Sequence, residues 1–122
     1  MKVGGATFNW KKKEVFMAWL YLLFAGLFEV GFTTFLKLSE NFTRFWPTCA
    51  FFLLAILSFS ALSYSLKAIP LGTAYAVWTG IGAFGTALIG IAFFGESTDF
   101  WRIFFLLCLI LSILGLKIVH VH

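Results

Sequence analysis

Charge is what this chain has least of. Only 11% of its 122 residues are Asp, Glu, Lys or Arg, against about 25% in ordinary soluble domains. A water-soluble globule of this length cannot hide the 61% of residues that are hydrophobic, because small domains bury the smallest fraction of their surface. That excludes a soluble enzyme, a nucleic-acid-binding domain and a disordered tail. Cysteine is nearly absent. Cys49 and Cys108 each lie inside an apolar run, which excludes a disulfide framework and metal-type spacing. Both read as small buried hydrophobes. Histidine is confined to His120 and His122. Their H-x-H pattern reads as a solvated tail before it reads as a metal site, and nothing else in the chain implies a cofactor. The net charge of +4 does not point to nucleic acid. Lys2, Lys11, Lys12 and Lys13 supply most of it from one N-terminal segment, and the other charges stand singly between apolar runs, as loop charges of membrane proteins do.

What the chain has is apolar length: the mean hydropathy is +0.99. A bilayer core of about 30 Å needs roughly 20 apolar residues in a helix. Four runs approach that length: about 15–36, broken only by Glu29; 45–66; 71–94; and about 103–119, with Lys117 near its end. The connections at 37–44, 67–70 and 95–102 are short, so successive helices are antiparallel neighbours. The fold class expected is all-α, an integral membrane bundle of four transmembrane helices spanning 17–122.

Residues 1–16, MKVGGATFNWKKKEVF, stand apart as a basic segment. Three readings are open: the n-region of a signal peptide, an over-extended start with Met17 as the natural one, or a basic arm on the cytoplasmic face. The apolar run continues past Glu29 for a full span with no small-residue cleavage site, which weighs against the first. Without the segment, Lys67 and Lys117 on one side face Lys37, Arg44 and Arg102 on the other. That near balance barely specifies an orientation, whereas the added lysines favour an inward N-terminus.

Glu29 is the one acidic residue deep in a span. A charge at mid-membrane costs at least ~2.5–3.5 kcal/mol on insertion scales, and such residues face a bundle interior or a watery cavity. The bland reading is a neutral, hydrogen-bonded carboxyl in the core. The functional reading is an exchange site, since either a proton or a cation stabilises a desolvated carboxylate. Lys37 is eight residues on, about 12 Å along the helix. It is too distant for direct contact and placed to snorkel to the interface. Helical spacing puts Ala25, Gly26, Phe32 and Thr33 on the face of Glu29.

The second span offers Ser58, Ser60, Ser63, Tyr64 and Ser65. Serines in spans mostly bond back to their own helix, and Ser58, well inside, is the best candidate for a site. In the third span Tyr75 and Trp78 share a face. Their rings can stack on a cation, and the alternative is an interfacial belt, which suits Tyr75 better than the deeper Trp78. Gly72, Gly80, Gly82, Gly85 and Gly90 serve close packing, helix flexing beside a cavity, or both. The fourth span carries only Cys108, Ser112 and Gly115 as small residues and no site equipment, so its natural role is dimerisation.

These residues resemble the small multidrug resistance family from Met17 onward. The likeness rests on AGLFEVGFTTFLKLS, NFTRFWPT and IPLGTAYAVWTGIGAFG. It implies a four-helix chain that assembles as an antiparallel dimer, with itself or with a paired homologue, and exchanges protons for small organic cations across the inner membrane. On that resemblance Glu29 of both subunits forms one site lined by Ser58, Tyr75 and Trp78, and the fourth helix holds the dimer. WTGIGAFG looks like the guanidinium-exporter branch. Phe32, where that branch usually has Trp, and the Thr33–Thr34 pair look like the quaternary-ammonium branch. Two rivals stand beside this reading: an accessory membrane subunit that only packs against a partner, and a passive channel. An enzyme is disfavoured, because one carboxyl alone makes no acid–base pair.

Overall fold

The computed structural model describes the backbone of residues 5–121 and the side chains of residues 12–119. The side chains of Lys2, Lys11, His120 and His122 lie outside the described residues. The chain forms α1 (Gly5–Leu38), α2 (Phe45–Ser65), α3 (Leu71–Phe93) and α4 (Phe100–Val121). Each holds a stretch long and apolar enough to cross a membrane: Lys12–Leu38, Phe45–Ser65, Leu71–Phe93 and Phe100–Val119. Helices are the outcome because hydrocarbon offers no hydrogen-bond partner, so every backbone group must be satisfied within its own segment.

The second and third helices match the apolar runs almost to the residue. The first differs, because the basic segment expected to stand apart continues α1 from Gly5 without a break. Lys and Glu are good helix formers, and Lys12, Lys13 and Glu14 are exposed, so the register simply carries on beyond the apolar run. Proline marks two helix starts. Pro47 sits in the first turn of α2, where its missing N–H has no intrahelical role, and Pro70 caps α3. At the end of α3, Gly95 takes a left-handed φ of 67°. The Glu96 N–H then returns to the Gly90 carbonyl at 3.1 Å, closing the helix as glycine C-caps do. The α1–α2 turn puts Glu40, Asn41 and Phe42 at positive φ. Buried Ser39 holds that turn: its hydroxyl donates to the Leu36 carbonyl and accepts the Phe42 N–H, while its carbonyl accepts the N–H groups of Thr43 and Arg44.

α1 is the centre of the bundle. It packs along α2 and α3, whereas the backbone of α4 approaches α3 alone and α2 meets α3 only marginally. The core is narrow: Ala18, Leu22 and Ala25 of α1, Ala61 of α2, and Ala74, Val77 and Trp78 of α3, closed by Ile69. Most large side chains point outward, Phe45, Trp46 and Phe93 among them, as expected where the solvent is itself apolar. No described side chain of α4 is buried.

Parallel helices α1 and α3 approach closely because glycines alternate across their interface. A Cβ at Gly26 would lie 2.6 Å from Ile81 Cγ2 and 2.7 Å from Ile81 Cβ. A Cβ at Gly80 would lie 2.7 Å from Ile113 Cδ1 of α4. Ile81 is branched at the point of collision and cannot swing away. Gly26→Ala is therefore expected to destabilise the bundle by about 1–3 kcal/mol, as core overpacking does. Gly72, with nothing within 4 Å, should gain a few tenths of a kcal/mol to about 1 kcal/mol as Ala from helix propensity. Reversible unfolding in detergent micelles measures both.

Candidate functional site

The α1–α3 interface carries Glu29 toward the backbone of α3. A Cβ at Gly82 would overlap the Glu29 carboxylate, so the acid lies flat against a position where α3 presents no side chain. Glu29 Oε1 is buried and accepts no hydrogen bond. Among the described residues no ion pair reaches this carboxylate. Lys37, on the same helix, instead places its Nζ 5.1 Å from the Phe94 ring centroid.

Above and below Glu29 two polar links tie the helices together. One turn before it, the Ser58 hydroxyl of α2 donates to the Ala25 carbonyl of α1 at 2.7 Å. The same oxygen accepts the Trp78 Nε1–H of α3 at 2.9 Å. Ser58 is 0% exposed and Trp78 7%. One hydroxyl thus joins three helices at a single level. One turn after Glu29, the Thr33 hydroxyl donates into its own helix toward the carbonyls of Glu29 and Val30, each at 3.0 Å. Its oxygen lies 2.7 Å from that of Thr86 on α3. With the Thr33 proton directed backward, Thr86 is the donor across the gap. Gly85 lies between these levels, under Val30.

An aromatic wall flanks the acid. Phe32 turns toward α2, edge-on to Phe51 at 5.7 Å and stacked with Phe59 at 6.2 Å. Phe59 meets Trp78 at 5.2 Å, and Trp78 meets Tyr75 at 6.0 Å. Tyr75 is exposed and forms the outer end of this row.

The residues expected from the sequence therefore fall into groups. Glu29 and Gly82 touch. Ser58 and Trp78 are bonded to each other and reach α1 through Ala25, one turn from the acid, with no direct hydrogen bond to it. Gly26 and Gly85 keep α1 close to α3, and Thr33 clasps Thr86. Gly80 faces α4. Gly90 lies under Glu96 of the following loop, whose carboxylate pairs with Arg102 at 2.5 Å. Cys108 and Ser112 are uncovered on α4, and Gly115 meets nothing within 4 Å. The sequence reading did not name Phe59, Thr86 or the Ala25 carbonyl as parts of the site. Phe59 carries no signal inside an uncharged run. Thr86 stands one helical turn from Gly82, so its hydroxyl was open to reading.

Removing the shared hydroxyl leaves the buried Trp78 indole N–H without its acceptor and takes from the Ala25 carbonyl its link to α2. Ser58→Ala is expected to lower stability by about 1 kcal/mol, in the range measured for interhelical hydrogen bonds in membranes. Trp78 emission should shift as the indole loses its acceptor. Unfolding and fluorescence together check this.

Four apolar spans around one intramembrane carboxyl define a small multi-pass membrane protein with an acidic site between α1 and α3. Residues 17–110 match the Small Multidrug Resistance protein family. The chain belongs to that family and is a multi-pass protein of the bacterial inner membrane. It is 45% identical over 102 residues to a guanidinium exporter of Proteus vulgaris, covering 84% of this chain and 98% of that protein. A guanidinium exporter of Yersinia pestis is 46% identical with the same coverage. One of Escherichia coli K12 is 43% identical, with 97% of that protein covered.

Proposed function

We propose that this chain exports small organic cations of the guanidinium type in exchange for protons, working as an antiparallel dimer. The observation that carries the reading is the Glu29 carboxylate, held inside a span against Gly82 with a buried oxygen that no hydrogen bond satisfies. Such a group needs a proton or a cation, and among the described residues no basic side chain pairs with it. The names of the relatives supply the class of cation.

In this reading two Glu29 side chains, one from each subunit, share one cavity and titrate as a coupled pair. Cation and protons compete for the same carboxylates, so proton entry drives cation exit. Antiparallel subunits make the inward-open and outward-open states equivalent once they exchange conformations, on the logic of inverted repeats. Ser58 and Trp78 hold the three helices in register beside the acid. Phe32, Phe59, Trp78 and Tyr75 offer ring faces that attract a cation. Thr33 pins the next turn. The uncovered face of α4, with Cys108, Ser112 and Gly115 on one side, is the dimer seam. Gly80, Gly82, Gly85 and Gly90 give α3 close contacts and local give.

Phe32 and the Thr33–Thr34 pair favour a second class of cargo, quaternary ammonium, because Phe32 donates no hydrogen bond to orient a planar guanidinium. The test is transport by reconstituted protein under an imposed pH gradient, with guanidinium and a bulky quaternary ammonium assayed side by side. Uphill, proton-driven flux of guanidinium is expected. Flux indifferent to the pH gradient would indicate a channel, and no flux without a second homologue an accessory subunit.

A further inference from the structure

A second cavity lies outside the acidic site, between α1, α3 and α4. It has a volume of about 450 Å³, and its walls are Phe16, Trp19 and Leu23 of α1, Ile81 of α3, and Ile113 and Leu114 of α4, with Lys12 and Lys117 also lining it. Among the described residues these two lysines are the charged ones that line it. Lys12 and Lys117 belong to opposite helix ends, the start of α1 and the last turns of α4, and antiparallel packing brings both to one level. Lys117 Nζ sits 5.4 Å from the Trp19 ring centroid, and a tryptophan beside a basic helix end is the pairing of an interfacial belt.

The groove has the dimensions of one leaflet. From Lys12 to Leu23 is eleven residues, about 16 Å at 1.5 Å per residue, half of a hydrocarbon core of about 30 Å. It begins at two cations, passes an interfacial tryptophan and ends among Leu23, Ile81 and Ile113 near the midplane. Its open side is bordered by Leu23 and Leu114, about half exposed at 43% and 52%. A phospholipid has the same order of parts: an anion at the surface, a glycerol at the aromatic belt and a chain running to the middle. Basic pockets between helices are where anionic headgroups bind.

We infer that this groove holds one anionic phospholipid, its phosphate between Lys12 and Lys117 and an acyl chain along Leu23, Ile81 and Ile113. The occupant seats against the faces of α1 and α3 opposite α2, so it bears on the same two helices that carry Glu29 and Gly82. The lipid belongs to the leaflet that contains the N-terminal end of α1, where Lys13 adds a third cation on the surface.

The test uses the full chain in nanodiscs of phosphatidylcholine doped with spin-labelled phosphatidylglycerol or spin-labelled phosphatidylcholine. The fraction of motionally restricted label is the readout. A lysine near the surface contributes about 1 kcal/mol toward an anionic lipid, about fivefold. The expected preference for phosphatidylglycerol is thus roughly 25-fold in the unmodified chain. It should fall at least fivefold in Lys12→Gln/Lys117→Gln, which keeps Lys13 and whose substitutions are exposed and leave the helices intact. Leu114→Trp, which fills the groove from its rim, should lower the preference for phosphatidylglycerol while the lysines and the boundary lipid remain. Equal preference before and after the double Gln substitution overturns the inference. So does crosslinking between copies through a cysteine placed at Leu114, which would make the groove a seam for a second chain.

Discussion

Glu29→Gln is expected to end proton-driven cation export in proteoliposomes. Glutamine has the same shape, so it keeps the contact with Gly82 and leaves the α1–α3 spacing alone. What it removes is the charge. Taking one partner from a desolvated ion pair costs about 2–5 kcal/mol, roughly 30- to 4,000-fold in affinity, and here the partner is the cargo itself. The proton is lost with it, because an amide does not titrate. Binding by calorimetry should therefore fall below detection and lose its pH dependence, whereas the unmodified protein should bind cation more weakly as pH drops and protons occupy the carboxylates. Stability should hold or rise, since a neutral side chain is better tolerated in a bilayer than a charged one. That combination separates a site residue from a structural one: a core carboxyl would lose stability on neutral replacement and leave the remaining transport pH-dependent. Uphill flux surviving in Glu29→Gln would sink the exchange mechanism.

The position of Glu29 was legible because an acid among apolar residues is conspicuous, and the four spans were legible because a bilayer demands their length. The facing of each helix was not. In water the apolar stripe of a helix reports which side is buried. Here both sides of α2, α3 and α4 are apolar, so the pattern reports depth and hides direction. The glycines illustrate this. From the sequence Gly80, Gly82, Gly85 and Gly90 form one small-residue set. In the structure they serve four different neighbours: Ile113, Glu29, Val30 and Glu96. Ser58 shows the same limit. Its depth suggested a role, but the Ala25 carbonyl and the Trp78 indole that engage it come from two other helices and have no local signature. The N-terminal extension of α1 was hidden for the opposite reason. Its polar residues lie outside the membrane pattern, so nothing in that pattern bore on whether they continue the helix.

Gly82→Ala is expected to damage the site far more than the fold. The new Cβ would occupy the space of the Glu29 carboxylate. The colliding atoms are the far end of a flexible side chain, so the acid can rotate away at little cost to packing, unlike branched Ile81 opposite Gly26. The bundle should keep its stability within about 1 kcal/mol, well under the largest overpacking penalties. The carboxylate, however, no longer lies against α3, and a cation bound between it and the aromatic row of Phe59, Trp78 and Tyr75 loses its geometry. A tenfold or greater loss of affinity, about 1.4 kcal/mol or more, is expected by calorimetry. Glu29→Asp supplies the check. It shortens the acid by one methylene and draws the carboxylate back from α3, so in the Gly82→Ala background it should cost little or even restore binding. Alone it should weaken binding by leaving a gap at Gly82. A double-mutant cycle should therefore show a coupling of at least about 1 kcal/mol, as residues in direct contact do. Additive effects would mean that Glu29 does its work facing away from Gly82, and the α1–α3 site would have to be moved.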